Sequence, residues 1–279
     1  MAATTVIARL TFREAARRKI LLAVLLLGLA FLIIFGVGFN YIDAELSKSS
    51  AGNDLLQRSE LRNFFLMAGL YVVNFLTVMM TVLTSVVTLS GEIASGTIHT
   101  VASKPLRRWE IVLGKWLGFA IMITLYLLLM AGGVLVLVYG LSGYVPPNPG
   151  RGLALMWLNA LLLLSISLLG GATLSTLANG VMVFGLYGLA FIGGWVEQFG
   201  SLLNNQTAIN IGILTSLIMP SEALWKRAAY EMQSPLIGAL GFSPFSAASV
   251  PSPAMVVYAV LYTLATLGLA IHQFQRRDL

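Results

Sequence analysis

Apolar residues along this chain gather into six runs, at 20–39, 64–89, 116–141, 153–178, 181–196 and 254–274, and none contains Asp, Glu, Lys or Arg. About 20 apolar residues in a helix cover roughly 30 Å of hydrocarbon. A single charged residue at the bilayer centre costs at least about 3 kcal/mol. The pattern therefore predicts an all-α membrane protein with six transmembrane helices. The run at 181–196 has only 16 residues and is expected to borrow Glu197 to Gly200 at the interface.

Composition agrees, because 58% hydrophobic and 10% charged residues over 279 positions are far from the balance of a soluble domain. The 19 residues before the first run and the five after the last are too few for a folded catalytic domain, so none is expected there. Charge gives the orientation. The N-terminal segment, the connector at 91–115 and the tail hold eleven of the 17 Lys and Arg, whereas the opposite side holds seven of the eleven acids. By the positive-inside tendency, both termini and the connector are expected to be cytoplasmic. A basic N-terminus before an apolar run also fits a signal peptide, but 20 residues exceed a usual h-region and favour a retained span. The net charge of +6 then reads as topology and contact with anionic lipid, not nucleic-acid binding. Cysteine is absent, which excludes disulfides and thiolate ligands.

Between the fifth and sixth runs lies a long segment, 197–253, expected on the outer side. It holds an apolar stretch at 209–219 that is too short to span, then Pro220-Ser221-Glu222, where Ser221 suits a helix cap, and later Pro235, Gly241, Pro244, Pro251 and Pro253. Re-entrant helices forming an outer gate are expected, the alternative being an amphipathic helix on the surface.

Absent motifs exclude several chemistries. Gly114-Lys115 resembles the end of a phosphate loop, but Trp109 stands where the first glycine belongs and Trp116 replaces the magnesium-binding hydroxyl residue. His99 and His272 lack metallohydrolase spacing, and no nucleophile-elbow pattern occurs. Without carboxylates in the runs, an ion-coupled carrier lacks its usual relay. The second run does carry a polar stripe, Asn74, Thr77, Thr81, Thr84, Ser85 and Thr88, at the spacing of one helix face. Such a stripe either lines a translocation path or subunit interface, or bonds to its own i−4 carbonyls. Gly180, Gly185, Gly188, Gly193 and Gly194 in the fifth run suit close helix packing first and a hinge second. At the N-terminus, Arg9, Arg13 and Arg17 form a basic stripe, with Glu14 placed to pair with Arg18. The stripe suits an interfacial helix touching lipid phosphates, although ordinary positive-inside flanking also explains the charges.

The connector itself is unusually long, since ordinary connections take about 4 to 6 residues. Glu92, Gly96-Thr97, Pro105, Arg108 and Gly114-Lys115 follow one another from the end of the second run to the start of the third, with a helix expected to open at Ile111 and Pro105 suited to its first turn. In this order they resemble the permease subunits of ABC-2-type transporters, of the type V exporter-like class, departing from that pattern at Arg107, where a small hydroxyl residue is common.

The resemblance extends over nearly the whole chain and implies a single transmembrane domain at 1–279. Its parts would be an interfacial helix at 1–19, a cytoplasmic coupling segment at 91–115 and an outer gate region at 197–253. It also implies a homodimer or a pair with a similar permease, above two copies of a separately encoded ABC ATPase that binds ATP and Mg, with no cofactor in this chain. Glu92, Gly96, Thr97, Ile98, Pro105 and Arg108 would serve coupling to that ATPase. The implied setting is a prokaryotic inner (plasma) membrane and the implied activity is export. A membrane anchor or signalling scaffold that recruits an ATPase without transport is the alternative, and a carrier or channel acting alone is third.

Overall fold

The computed structural model describes residues 3–48, 55–94, 107–234 and 250–277. Among them are nine helices and no strand: α1 (Ala3–Ala16), α2 (Lys19–Lys48), α3 (Leu55–Ala94), α4 (Arg108–Ser142), α5 (Pro149–Thr173), α6 (Thr176–Leu202), α7 (Gln206–Ile218), α8 (Ser221–Met232) and α9 (Pro253–Arg276). Six of these, α2 to α6 and α9, are long and apolar enough to cross a membrane, as the runs predict.

Local chemistry sets the ends. The carboxylate of Glu110 accepts the Arg107 backbone N–H at 2.9 Å and closes the start of α4. That helix therefore opens at Arg108, a turn ahead of the expected Ile111, and Pro105 lies outside the described residues. Gly143, at φ +68°, ends it in the left-handed conformation that favours glycine. The junction between the fourth and fifth spans falls at Leu174–Ser175, inside the apolar run taken to reach 178. The Ser175 hydroxyl accepts from Ala178 N and restarts the helix, a turn that hydropathy does not register. In compensation α6 extends to Leu202 and takes in Glu197 to Gly200, as the short fifth run requires.

Helices α3 and α5 form the middle of the bundle, whereas α2, α6 and α9 expose wide apolar faces. The interior is not uniformly apolar. Ser85 donates to Ser167 at 2.8 Å and Asn159 to Asn74 at 3.3 Å, joining α3 to α5. Asn179 on α6 donates to Ser167 O at 2.9 Å and to Val86 O at 3.3 Å, against the bare backbone of Gly170. Those two carbonyls belong to different helices, so Asn179 stitches three spans together. Replacing Asn179 by Ala should lower stability by about 1–3 kcal/mol, read as a fall in the melting temperature of the purified protein.

Candidate functional site at the root of the connector

Glu92 sits in the last turn of α3 and Lys115 two turns into α4. Their side chains form an ion pair, with Lys115 only 7% exposed. The two flanks of the connector are thus tied together inside the protein. An ion pair with little access to water must be matched, because removing one partner leaves a charge that cannot be hydrated.

Lys115 is preceded by Gly114 and followed three residues later by Gly118, and this face of α4 receives α1. A Cβ at Gly114 would lie 2.7 Å from Ile7 and 3.0 Å from Thr4 O, and one at Gly118 would lie 2.7 Å from Ala8 O. The bare glycines let α1 approach to backbone contact, and Ile7, Ala8, Thr11 and Ala15 are buried. The opposite face of α1 leaves Arg9 and Arg13 exposed beside exposed Val6 and Leu10, Arg17 is exposed just past the helix end, and Glu14 pairs with Arg18 at 2.6 Å as expected.

A third tie joins the start of α4 to two other helix ends. Arg108 donates to Gln275 O at 3.0 Å and Arg277 O at 2.5 Å at the end of α9. Arg277 in turn donates to Ala172 O, at 2.5 Å, in the last turn of α5. Cationic side chains here satisfy carbonyls that a helix end leaves open. Trp116 adds a bond from α4 to Ser165 on α5 at 3.0 Å. Arg277 was not singled out from the sequence, where it reads only as one of two tail charges. Gly96, Thr97, Ile98, Pro105 and the expected coupling helix lie outside the described residues.

The hydroxyl stripe of α3 is placed differently. Thr77, Thr81, Thr84 and Thr88 are buried within the chain, and each donates to its own i−4 carbonyl at 2.7 to 3.1 Å. Asn74 and Ser85 bond to α5. Among the described residues of a single chain the stripe lines no open surface. The exposed face of α3 carries Val72, Phe75, Leu83 and Val87 instead. Among the glycines of α6, Gly193 and Gly194 pack tightly against Thr215 and Glu222, but Gly185 and Gly188 have no heavy atom within 4 Å of a built Cβ.

At the far end of the bundle, α7 and α8 form a pair bent by 105°. Pro220, and not Ser221, occupies the cap of α8, and the Ser221 hydroxyl is buried with no hydrogen-bond partner among the described residues. The expected capping by Ser221 is therefore corrected: the proline already breaks the chain one residue earlier and draws the serine into the first turn. Fully buried Asn63 of α3 donates to Met232 O at 3.0 Å and to Tyr144 Oη at 2.8 Å, and accepts from Ser234 N at 3.1 Å, which pins the end of α8. Burial pushes the Tyr144 phenol up, against the pull of the Asn63 bond, so Tyr144 acts here as a neutral group.

Six spans, a buried clasp across the second connector and a bent helix pair before the last span form one constellation. Residues 5–279 match the family described as ABC-2 family transporter protein. The chain belongs to this family. As an ABC-2 family member it is the membrane-embedded, transporting component of an ABC transporter, with a multi-pass architecture. No curated protein matches the chain. Within the family reading, the Glu of the connector pattern and the Lys of Gly-Lys are partners of each other, and the Gly is the seat of α1.

Proposed function

We propose that this ABC-2 permease is one half of an ATP-driven exporter, assembled as a homodimer or with a similar permease above two copies of a separate ABC ATPase. ATP and Mg belong to that ATPase. The membrane is a prokaryotic plasma membrane, with the termini and the connector on the cytoplasmic side, as the basic residues favour. The broad apolar faces of α2, α6 and α9 are available to lipid and to the second permease.

The Glu92–Lys115 pair carries this reading. A loop that merely connects two spans has no need of a buried ion pair at its roots. A loop that receives force does, since the pair makes α3 and α4 respond together, and the Arg108 and Arg277 ties extend the response to α5 and α9. The exposed Arg9 and Arg13 lie on the docked α1 and Arg17 just past its end, where lipid phosphates would hold the same end of α4 at the interface.

Two measurements test the proposal. The purified chain should hydrolyse no ATP, whereas its complex with its partner ATPase should. Glu92→Lys should abolish stimulation of hydrolysis by substrate while the chain still inserts. Hydrolysis by the pure chain overturns the proposal, and a complex that hydrolyses ATP but moves nothing across vesicles favours the scaffold.

A further inference from the structure

Helix α8 is a polar helix held almost wholly inside the protein. Lys226, 5% exposed, bonds to Glu197 of α6 at 2.7 Å, and Glu197 is 6% exposed. Glu222, one turn before Lys226 on α8, is 8% exposed. Among the described residues it has no hydrogen bond or ion pair, although it interacts electrostatically with both Lys226 and Glu197. Its side chain fills a notch at Gly194, where a Cβ would lie 2.2 Å from Glu222 Cγ. One buried ammonium thus has two buried carboxylates within its field, one on the neighbouring helix and one on its own.

The attachments of α8 are unequal. Toward α3 and α5 it is fixed by the Asn63 bonds, by Trp225 against Tyr71, with ring centroids 5.1 Å apart, and by Met232 seated on Gly152, where a Cβ would lie 2.3 Å from its Sδ. Toward α6 it is tied by the Lys226–Glu197 bond. Helix α7, by contrast, is locked to α6 through Gly193 and Gly212, where a Cβ would meet Thr215 and Glu197 at 1.9 and 2.3 Å. The bend at Met219–Pro220 between α7 and α8 is where relative motion would be taken up.

We propose that Lys226 is a two-position switch: it bonds Glu197 when α8 rests on α6, and transfers to Glu222, at i−4 on its own helix, when α8 moves away with α3 and α5. A Glu placed four residues before a Lys is the favourable order for a pair within a helix. The transfer keeps the ammonium paired in both positions, so separation avoids the cost of a buried unpaired charge. That the connector drives α3 rests on the function proposed above. The switch itself does not, and its test uses the chain alone.

The test is hydrogen exchange of the 221–233 amides in the purified chain in lipid nanodiscs. Glu222→Gln should leave exchange unchanged, because the Glu197 bond remains. Glu197→Gln should raise it by no more than about threefold, because Lys226 moves to Glu222. Glu197→Gln with Glu222→Gln should raise it at least about a hundredfold, because the ammonium then has neither carboxylate. A milder pair, Glu197→Gln with Glu222→Asp, covers failure of the double variant to fold and should give an intermediate rise of about tenfold. Equal exchange in Glu197→Gln and in either double variant overturns the proposal. So does a hundredfold rise for Glu197→Gln alone. With Lys226→Met as background, adding Glu222→Gln should change exchange less than about threefold, and a large change there shows that Glu222 acts through some other group and also overturns it.

Discussion

Gly118→Leu is expected to release α1 from α4. The built Cβ at Gly118 already lies 2.7 Å from Ala8 O and 2.9 Å from Thr11 Cβ, so a backbone must retreat and not merely a side chain. Overpacking of this kind costs about 1–3 kcal/mol, and the helix has an alternative, which is to undock. The readout is tryptic cleavage at Arg9, Arg13 and Arg17, whose rate should rise at least about tenfold as the undocked population grows. Gly132 and Gly140 on the same helix supply the contrast, since among the described residues nothing lies within 4 Å of a Cβ at either. Gly→Ala there should be neutral or stabilising by up to about 1 kcal/mol through helix propensity. If all the substitutions on α4 behave alike, the seat of α1 is not what Gly118 provides.

The second large effect concerns the clasp. Lys115→Met takes the ammonium away from the Glu92 carboxylate and should cost about 3–5 kcal/mol, seen as a steep fall in melting temperature and yield. Glu92→Gln should cost less, because the amide oxygen still accepts a hydrogen bond from the Lys115 ammonium. The informative variant is the double one. Glu92→Met with Lys115→Met removes both charges, and well-packed apolar replacements of a buried pair are often neutral or stabilising by about 1–4 kcal/mol. It should therefore recover the stability lost in Lys115→Met. Under the coupling proposal it should still fail to link ATP hydrolysis to transport, because the directional bond between α3 and α4 is gone. Recovery of both stability and transport would mean that the pair serves only folding.

Much of the architecture was legible in order along the chain. Uncharged runs announce spans because the penalty for a charge in hydrocarbon is large and independent of what packs where. The bent pair before the last span was legible for the same reason, an apolar stretch too short to cross followed by Pro220. Glu92 and Lys115 were both marked, yet as separate members of a pattern, one for docking and one as the end of a false phosphate loop. Nothing local says that residues 23 positions apart meet. The hydroxyl stripe shows the limit from the other side. Periodicity places Thr77, Thr81 and Thr84 on one face of α3, but whether that face meets water or another helix depends on the neighbour it is given.

The charged residues of α8 divide the two kinds of knowledge most sharply. Glu222 and Lys226 look in the sequence like ordinary polar positions of a re-entrant or surface helix, and Glu197 looks like an interfacial residue closing a short span. Each is more than nine-tenths buried only because α6, α7 and α8 fold around the bend. By itself, the sequence determined the number of spans, the end on which the basic residues gather and the family pattern, since these rest on transfer energies and on residues adjacent in the chain. Tertiary structure alone decided which charges are partners, which glycines are seats for a neighbouring helix and which face of α3 is covered. Those depend on distances between segments far apart in sequence, and a buried ion pair forms only where the fold has already excluded water.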